Sequence, residues 1–183
     1  MRSNILMASG LLASALLLSA CGFHPLYAED EDGLGLDDRL ATVEVTDIQG
    51  RYGQEFKLAL DSQMYPSGRP ASARTQYLLH VRLKADREGL AIQPDASITR
   101  YDYNITGRYR LEEVGSGKLV HQGIATAKTA YNVVESQFAT LTARQDAEAR
   151  AIRSLSEEIR MRIALFLKAG AAPEGTEPLV KKR

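Results

Sequence analysis

The chain has no tryptophan, a single cysteine and no excess of either charge. One cysteine in 183 residues closes no internal disulfide and builds no thiolate zinc cluster. The 23 basic and 23 acidic residues cancel, so the basic excess of a nucleic-acid-binding protein is missing. Beyond residue 20 no apolar run approaches the ~20 residues that a permanent membrane helix needs. No internal repeat is visible. Catalytic signatures are missing too: no G-x-S-x-G elbow, phosphate loop, H-E-x-x-H or dinucleotide glycine fingerprint occurs. Asp and Glu are scattered, with no spacing that pairs them. No catalytic residue, metal site or cofactor is therefore expected. Three histidines remain, His24, His80 and His121. A lone strand histidine is more often a surface or packing residue than a base, which needs an oriented partner.

The N-terminus is where the chain is distinctive. Arg2 supplies a small positive region, and Ile5 to Ala20 are nearly all apolar or small, with leucines at 11, 12, 16, 17 and 18. This is a signal-peptide core, short for a bilayer span. It ends Leu18-Ser19-Ala20-Cys21, which resembles a bacterial lipobox cleaved before Cys21. The expected product carries acyl chains, palmitate among them, on Cys21. Two or three chains give a stable anchor where one does not. Gly22 in place of Asp favours, by similarity to enterobacterial sorting, release to the outer membrane.

Removing the first 20 of 183 residues leaves 163, enough for one domain. The expected divisions are a signal peptide at 1–20, a lipid-anchored linker at 21–38, an α/β domain at 39–168 and a disordered tail at 169–183. The linker is acidic and glycine-containing. Residues 40–48 alternate as a first strand. Tyr52, Phe56, Leu60 and Met64 step by four, predicting a helix over 51–65. Residues 75–85 alternate cleanly, and a loop follows with Gly89, Pro94 and Asp95. Residues 97–112 alternate again, glycines 115 and 117 mark a hairpin turn, and residues 118–131 form a fourth strand, bulged near Gly123. Between Gln137 and Lys168 the period becomes helical through Ile152, Leu155, Ile159, Ile163 and Phe166, with Phe138 and Leu141 beginning the same stripe. The expected fold is α+β: a two-layer sandwich with a four-stranded, mostly antiparallel sheet, two helices on one face, and the order β-α-β-β-β-α.

The other sheet face should be polar. It carries Arg82 and Lys84, then Arg100, Arg108 and Arg110, and late in the fourth strand Lys128, with Asp102 among them. Two readings stand. Basic residues protect an exposed sheet, or arginine forks bind phosphates through paired hydrogen bonds. Tyr101, Tyr103 and Tyr109 fall on the core side.

After the lipobox the chain reads Cys21-Gly22-Phe23-His24-Pro25-Leu26-Tyr27. This start, and the order of elements along most of the remaining chain, resembles the LPS-assembly lipoprotein LptE family. The segment from Phe138 to Ile152 is similar to the long helix of its alphaproteobacterial-type members. The resemblance implies a non-enzymatic subunit of the lipopolysaccharide transport machine. Such a subunit plugs the LptD β-barrel, helps it assemble, and binds lipopolysaccharide for insertion in the outer leaflet. It implies a lipid-anchored place on the periplasmic side of the outer membrane. It carries Arg100, Lys128 and Arg108 over as lipopolysaccharide-binding residues. The rival readings are an outer-membrane lipoprotein adaptor with another partner, and a small periplasmic hydrolase that would need His80 or His121.

Overall fold

The computed structural model describes residues 35–92 and 98–170. The expected signal peptide, Cys21, His24, the Phe23–Tyr27 motif, most of the linker, the Pro94–Asp95 loop and the tail from 171 lie outside them. Seven elements follow in order: α1 (Leu36–Ala41), β1 (Val43–Val45), α2 (Arg51–Met64), β2 (Tyr77–Ile92), β3 (Ile98–Glu113), β4 (Leu119–Asn132) and α3 (Gln137–Lys168). The sheet runs β1-β2-β3-β4. β1 lies parallel to β2 and the other two pairings are antiparallel. The expected α+β architecture, with helices against a four-stranded sheet, is thus present.

Side-chain alternation sorts the two faces. Odd-numbered residues of β2, β3 and β4 point toward the helices. Leu79, Ile105 and Leu111 there are fully buried, as are Phe56 and Leu60 from α2 and Leu155, Ile159 and Ile163 from α3. The spacing of four in α2 and of three and four in α3 aims these stripes at the sheet. α3 begins at Ser136, whose hydroxyl caps the first turn by accepting the Ala139 N–H at 3.3 Å.

Five details depart from the sequence expectation. Residues 36–41 form a helix where a linker and a strand were expected. Six residues hold no helix alone; Leu36 and Leu40 are buried in the core, and Arg39 donates to the Leu167 carbonyl at 3.2 Å. β1 consequently shrinks to three residues. β2 runs seven residues past Ala85, because its ladder with β3 continues through Gly89 to Ile92. Phe138 and Leu141 do not join the buried stripe. They are 79% and 48% exposed, because the buried positions of α3 begin only at Ala147.

The bulge expected in β4 near Gly123 falls three residues earlier: Gly123 pairs regularly with Tyr109, and the register shifts between Leu111 and Glu112, where β4 carries the extra residue Val120 between Leu119 and His121. The glycine serves close packing. A Cβ at 123 would stand 2.5 Å from the Tyr109 hydroxyl, so the ring occupies the missing side chain's place. Gly53 in α2 is constrained more tightly, since a Cβ there would meet the Ile48 carbonyl oxygen at 2.5 Å. Helix propensity alone would make Gly53→Ala stabilising by about 1 kcal/mol. Overpacking against a backbone atom costs about 1–3 kcal/mol and is expected to win. Urea denaturation should show a net loss.

Candidate functional site

The helix-free face of the sheet collects the even-numbered side chains. In the β2–β3 ladder Arg82 stands directly opposite Arg108. Both are exposed, and neither has an ion-pair partner among the described residues. Like charges placed directly across strands are destabilising. Of the other cations on this face, three are paired with carboxylates. Lys84 pairs with Asp86 at 3.3 Å and Arg110 with Glu112 at 3.2 Å. Lys128 is held by the carboxylate of Asp102, which is 4% exposed. The hydrogen bond and charge of Asp102 raise the Lys128 ammonium above its ordinary value, so it stays protonated. Arg100 donates to the Asn132 side-chain oxygen at 3.3 Å.

The three basic residues singled out from the sequence share this face but do not converge. Arg100 and Arg108 stand eight residues apart on β3, about 27 Å at ~3.4 Å per residue. Lys128 lies between them, since it pairs with Asn104, and it is committed to Asp102. Arg108 keeps an open valence, and the residue beside it is Arg82. Alternation alone put Arg82 on the same face. Only the register makes it the partner of Arg108. Two guanidiniums side by side, both solvent-facing, can offer parallel N–H pairs to one phosphate or two.

Residues 40–163 match the lipopolysaccharide-assembly family, LptE. The chain belongs to the LptE family. A protein of Rickettsia prowazekii (strain Madrid E) is 26% identical to it over 156 residues, 85% of this chain and 94% of that protein. Among solved structures, a Caulobacter crescentus CB15 protein superposes with a TM-score of 0.59 at 20% identity, covering 74% of this chain and 96% of its own. Rare lipoprotein B of Shewanella oneidensis superposes with 0.53 at 11% identity, covering 69% and 95%. These two share the fold.

LptE-family proteins are non-enzymatic lipoproteins, and the two described histidines, His80 and His121, have structural neighbours. His80 sits between the Thr46 hydroxyl (3.3 Å) and Glu112 (3.5 Å), a row of nucleophile, base and carboxylate in outline. Thr46 however also donates to the Leu79 carbonyl at 3.2 Å, and the row lies on an open sheet. Two clefts among the described residues, each about 300 Å³, are elsewhere: one beside Tyr131, Leu141 and Arg144, the other beside Tyr77 and Phe166.

His121 stacks on Phe166 with centroids 4.8 Å apart and meets the Tyr109 hydroxyl at 3.3 Å. Burial, and then the charge of Arg162, push its pKa below the ordinary 6.5. The folded state therefore binds this proton less readily than the unfolded chain does. The contribution to stability is present above pH 6.5 and is lost as pH falls through the lowered value. His121→Gln is expected to flatten the pH dependence of the urea midpoint in that window.

Proposed function

We propose that this chain is the lipoprotein subunit of a lipopolysaccharide transport machine. Residues 1–20 are its signal peptide. Cys21 is acylated and holds the domain to the periplasmic face of the outer membrane, and residues 21–34 with the short helix α1 join anchor to sandwich. The body seats in the LptD barrel and presents its helix-free sheet face to lipopolysaccharide.

Family membership supports the assembly role, and the lipobox supports the anchor. The observation that carries the ligand reading is the Arg82–Arg108 pair. It is the one place on the face where adjacent cations lack acidic partners among the described residues, and lipid A phosphates have the charge and geometry to fill it. Arg100, at the far end of the face, would meet a second anionic group of a ligand this large. Lys128 would reach a phosphate only in competition with Asp102.

Affinity capture of the tagged full chain from detergent-extracted membranes tests the barrel partnership. An outer-membrane β-barrel of the LptD type is expected to co-purify in equimolar amount. Recovery without it, or with a different stoichiometric partner, would turn the reading toward an adaptor of another system.

A further inference from the structure

The last positions of the expected linker belong to the packed body. In α1, Leu36 and Leu40 are buried and Arg39 donates to the Leu167 carbonyl. The chain therefore enters the sandwich at a fixed point, Gly35, in extended conformation. One of the two clefts opens beside this point. It holds about 300 Å³, and Asp38, Arg39, Gln76, Tyr77, Phe166 and Leu167 line it. Tyr77 and Phe166 are half-buried, and Phe166 is held by its stack on His121. The rim is polar. The side chains of Asp38 and Gln76 are exposed and meet no hydrogen-bond partner among the described residues. A volume at the lower end for ligand pockets leaves room for one or two side chains.

The sequence supplies a filler close by. Phe23-His24-Pro25-Leu26-Tyr27 places three large apolar or aromatic side chains in five positions, and neither acylation nor the sheet face uses them. Seven residues, 28 to 34, separate Tyr27 from Gly35. Fully extended they reach ~24 Å, ample for a cleft that begins at Asp38. So short a tether gives a millimolar effective concentration, so a contact too weak to hold a free peptide stays occupied. Tyr27 offers a ring to the aromatic wall and a hydroxyl to Asp38 or Gln76. Pro25 fixes one backbone angle beforehand and cuts the ordering cost. The C-terminal tail also leaves from this cleft, at Gly170. Its bulky apolar residues, Leu179 and Val180, come nine and ten positions later, carry no ring, and run into Lys181-Lys182-Arg183. The N-terminal segment is the better match.

We propose that this cleft takes Leu26 and Tyr27 of the same chain, clamping the segment behind Cys21 onto the body. A free linker would let Gly35 stand up to ~49 Å from Cys21; the clamp holds the cleft within ~21 Å of it. The body is then positioned at the membrane, not merely tethered to it. That consequence rests on the anchor reading of Cys21, whereas the docking itself does not.

Ala28→Cys with Gln76→Cys in the full chain, oxidised in membranes, tests this. Both docking side chains stay in place, and Gln76 keeps the backbone bonds that hold it, to the Thr42 carbonyl and from Val114, so the urea midpoint should match the parent's. The parent, whose one cysteine is Cys21, sets the background. The disulfide is read within one chain, as two thiols shielded from alkylation until reduced. Ala28→Cys with Asp37→Cys is the comparison: Asp37 is exposed beside the cleft, and its shorter loop is the one a free tether closes more easily. Docking predicts the reverse order, with position 76 linked roughly tenfold more. Adding Leu26→Asp with Tyr27→Asp should remove that excess. A yield at 76 no higher than at 37, or an excess that survives the two aspartates, would overturn the clamp. So would a Leu179→Cys chain that links to Gln76→Cys in higher yield, since the cleft would then belong to the tail. Acylation of Cys21 is read separately, by palmitate labelling, so failure of the clamp and failure of the anchor are different results.

Discussion

Glu148→Ala is expected to cost about 3 kcal/mol of folding stability, measured by urea denaturation at neutral pH. Glu148 lies on α3 at 2% exposure, where an unpaired carboxylate would be costly. It is matched instead. Arg144 donates to it at 2.8 Å from one turn earlier, Arg51 at 3.2 Å from the start of α2, and the Tyr52 hydroxyl at 3.3 Å. One carboxylate therefore joins both long helices, above a sheet position where burial raises the Tyr103 phenol far beyond its ordinary value. Burial pushes the Glu148 carboxyl up, but Arg144, Arg51 and Tyr52 together outweigh it and hold the group below its ordinary 4.5. The sign follows. The stabilisation is present above pH 4.5 and is lost as pH falls through the lowered value. The gap between the parent and Glu148→Gln should accordingly narrow in acid. The alanine figure sits at the lower end of values for broken buried pairs because Arg51 and Arg144 reach solvent.

Arg108→Thr is expected to move stability and binding in opposite directions. Removing one of two opposed cations relieves a repulsion, so the apoprotein should gain about 0.5 kcal/mol. Binding of labelled lipopolysaccharide should weaken roughly tenfold or more, the size of one lost charge-assisted hydrogen-bonded contact. Arg82→Asp with Arg108→Asp should weaken it further. Arg100→Asp with Lys128→Asp should weaken it less per charge removed, because Lys128 already serves Asp102. That second pair should also destabilise the fold, since it leaves a buried carboxylate facing another acid. A residue kept at a cost in stability is what a ligand site produces. Unchanged binding in Arg108→Thr, with stability raised, would reduce the arginine pair to a solubility feature of the sheet.

How much of this was legible beforehand depends on the range of the interaction. The long helix was readable, because the stripe from Ile152 through Ile163 repeats over several turns. Its first turns misled, since periodicity cannot tell where the sheet beneath the helix stops. That left Phe138 on the surface. α1 was hidden for the opposite reason: six residues depend on contacts with α3, more than a hundred positions away, and local pattern does not record them. The extent of β2 was obscured by Gly89, a residue that punctuates most strands but here stays in the ladder.

The candidate site divides in the same way. Alternation assigned Arg82, Arg100, Arg108 and Lys128 to one face, and the structure keeps them there. Which of them touch was set by the register of the β2–β3 and β3–β4 ladders, and a period of two leaves register open in steps of two. Register placed Arg82 against Arg108, and the pairing of Lys128 with Asp102 is equally a product of the folded sheet.

Depletion of this chain in its host, scored for lipopolysaccharide exposed at the cell surface, tests the proposed role most directly. If the chain is the lipoprotein subunit of the export machine, surface lipopolysaccharide should fall in step with it, with re-expression of the parent restoring it. Arg82→Asp with Arg108→Asp should restore it only in part. Unchanged surface lipopolysaccharide after the chain has gone would contradict the account.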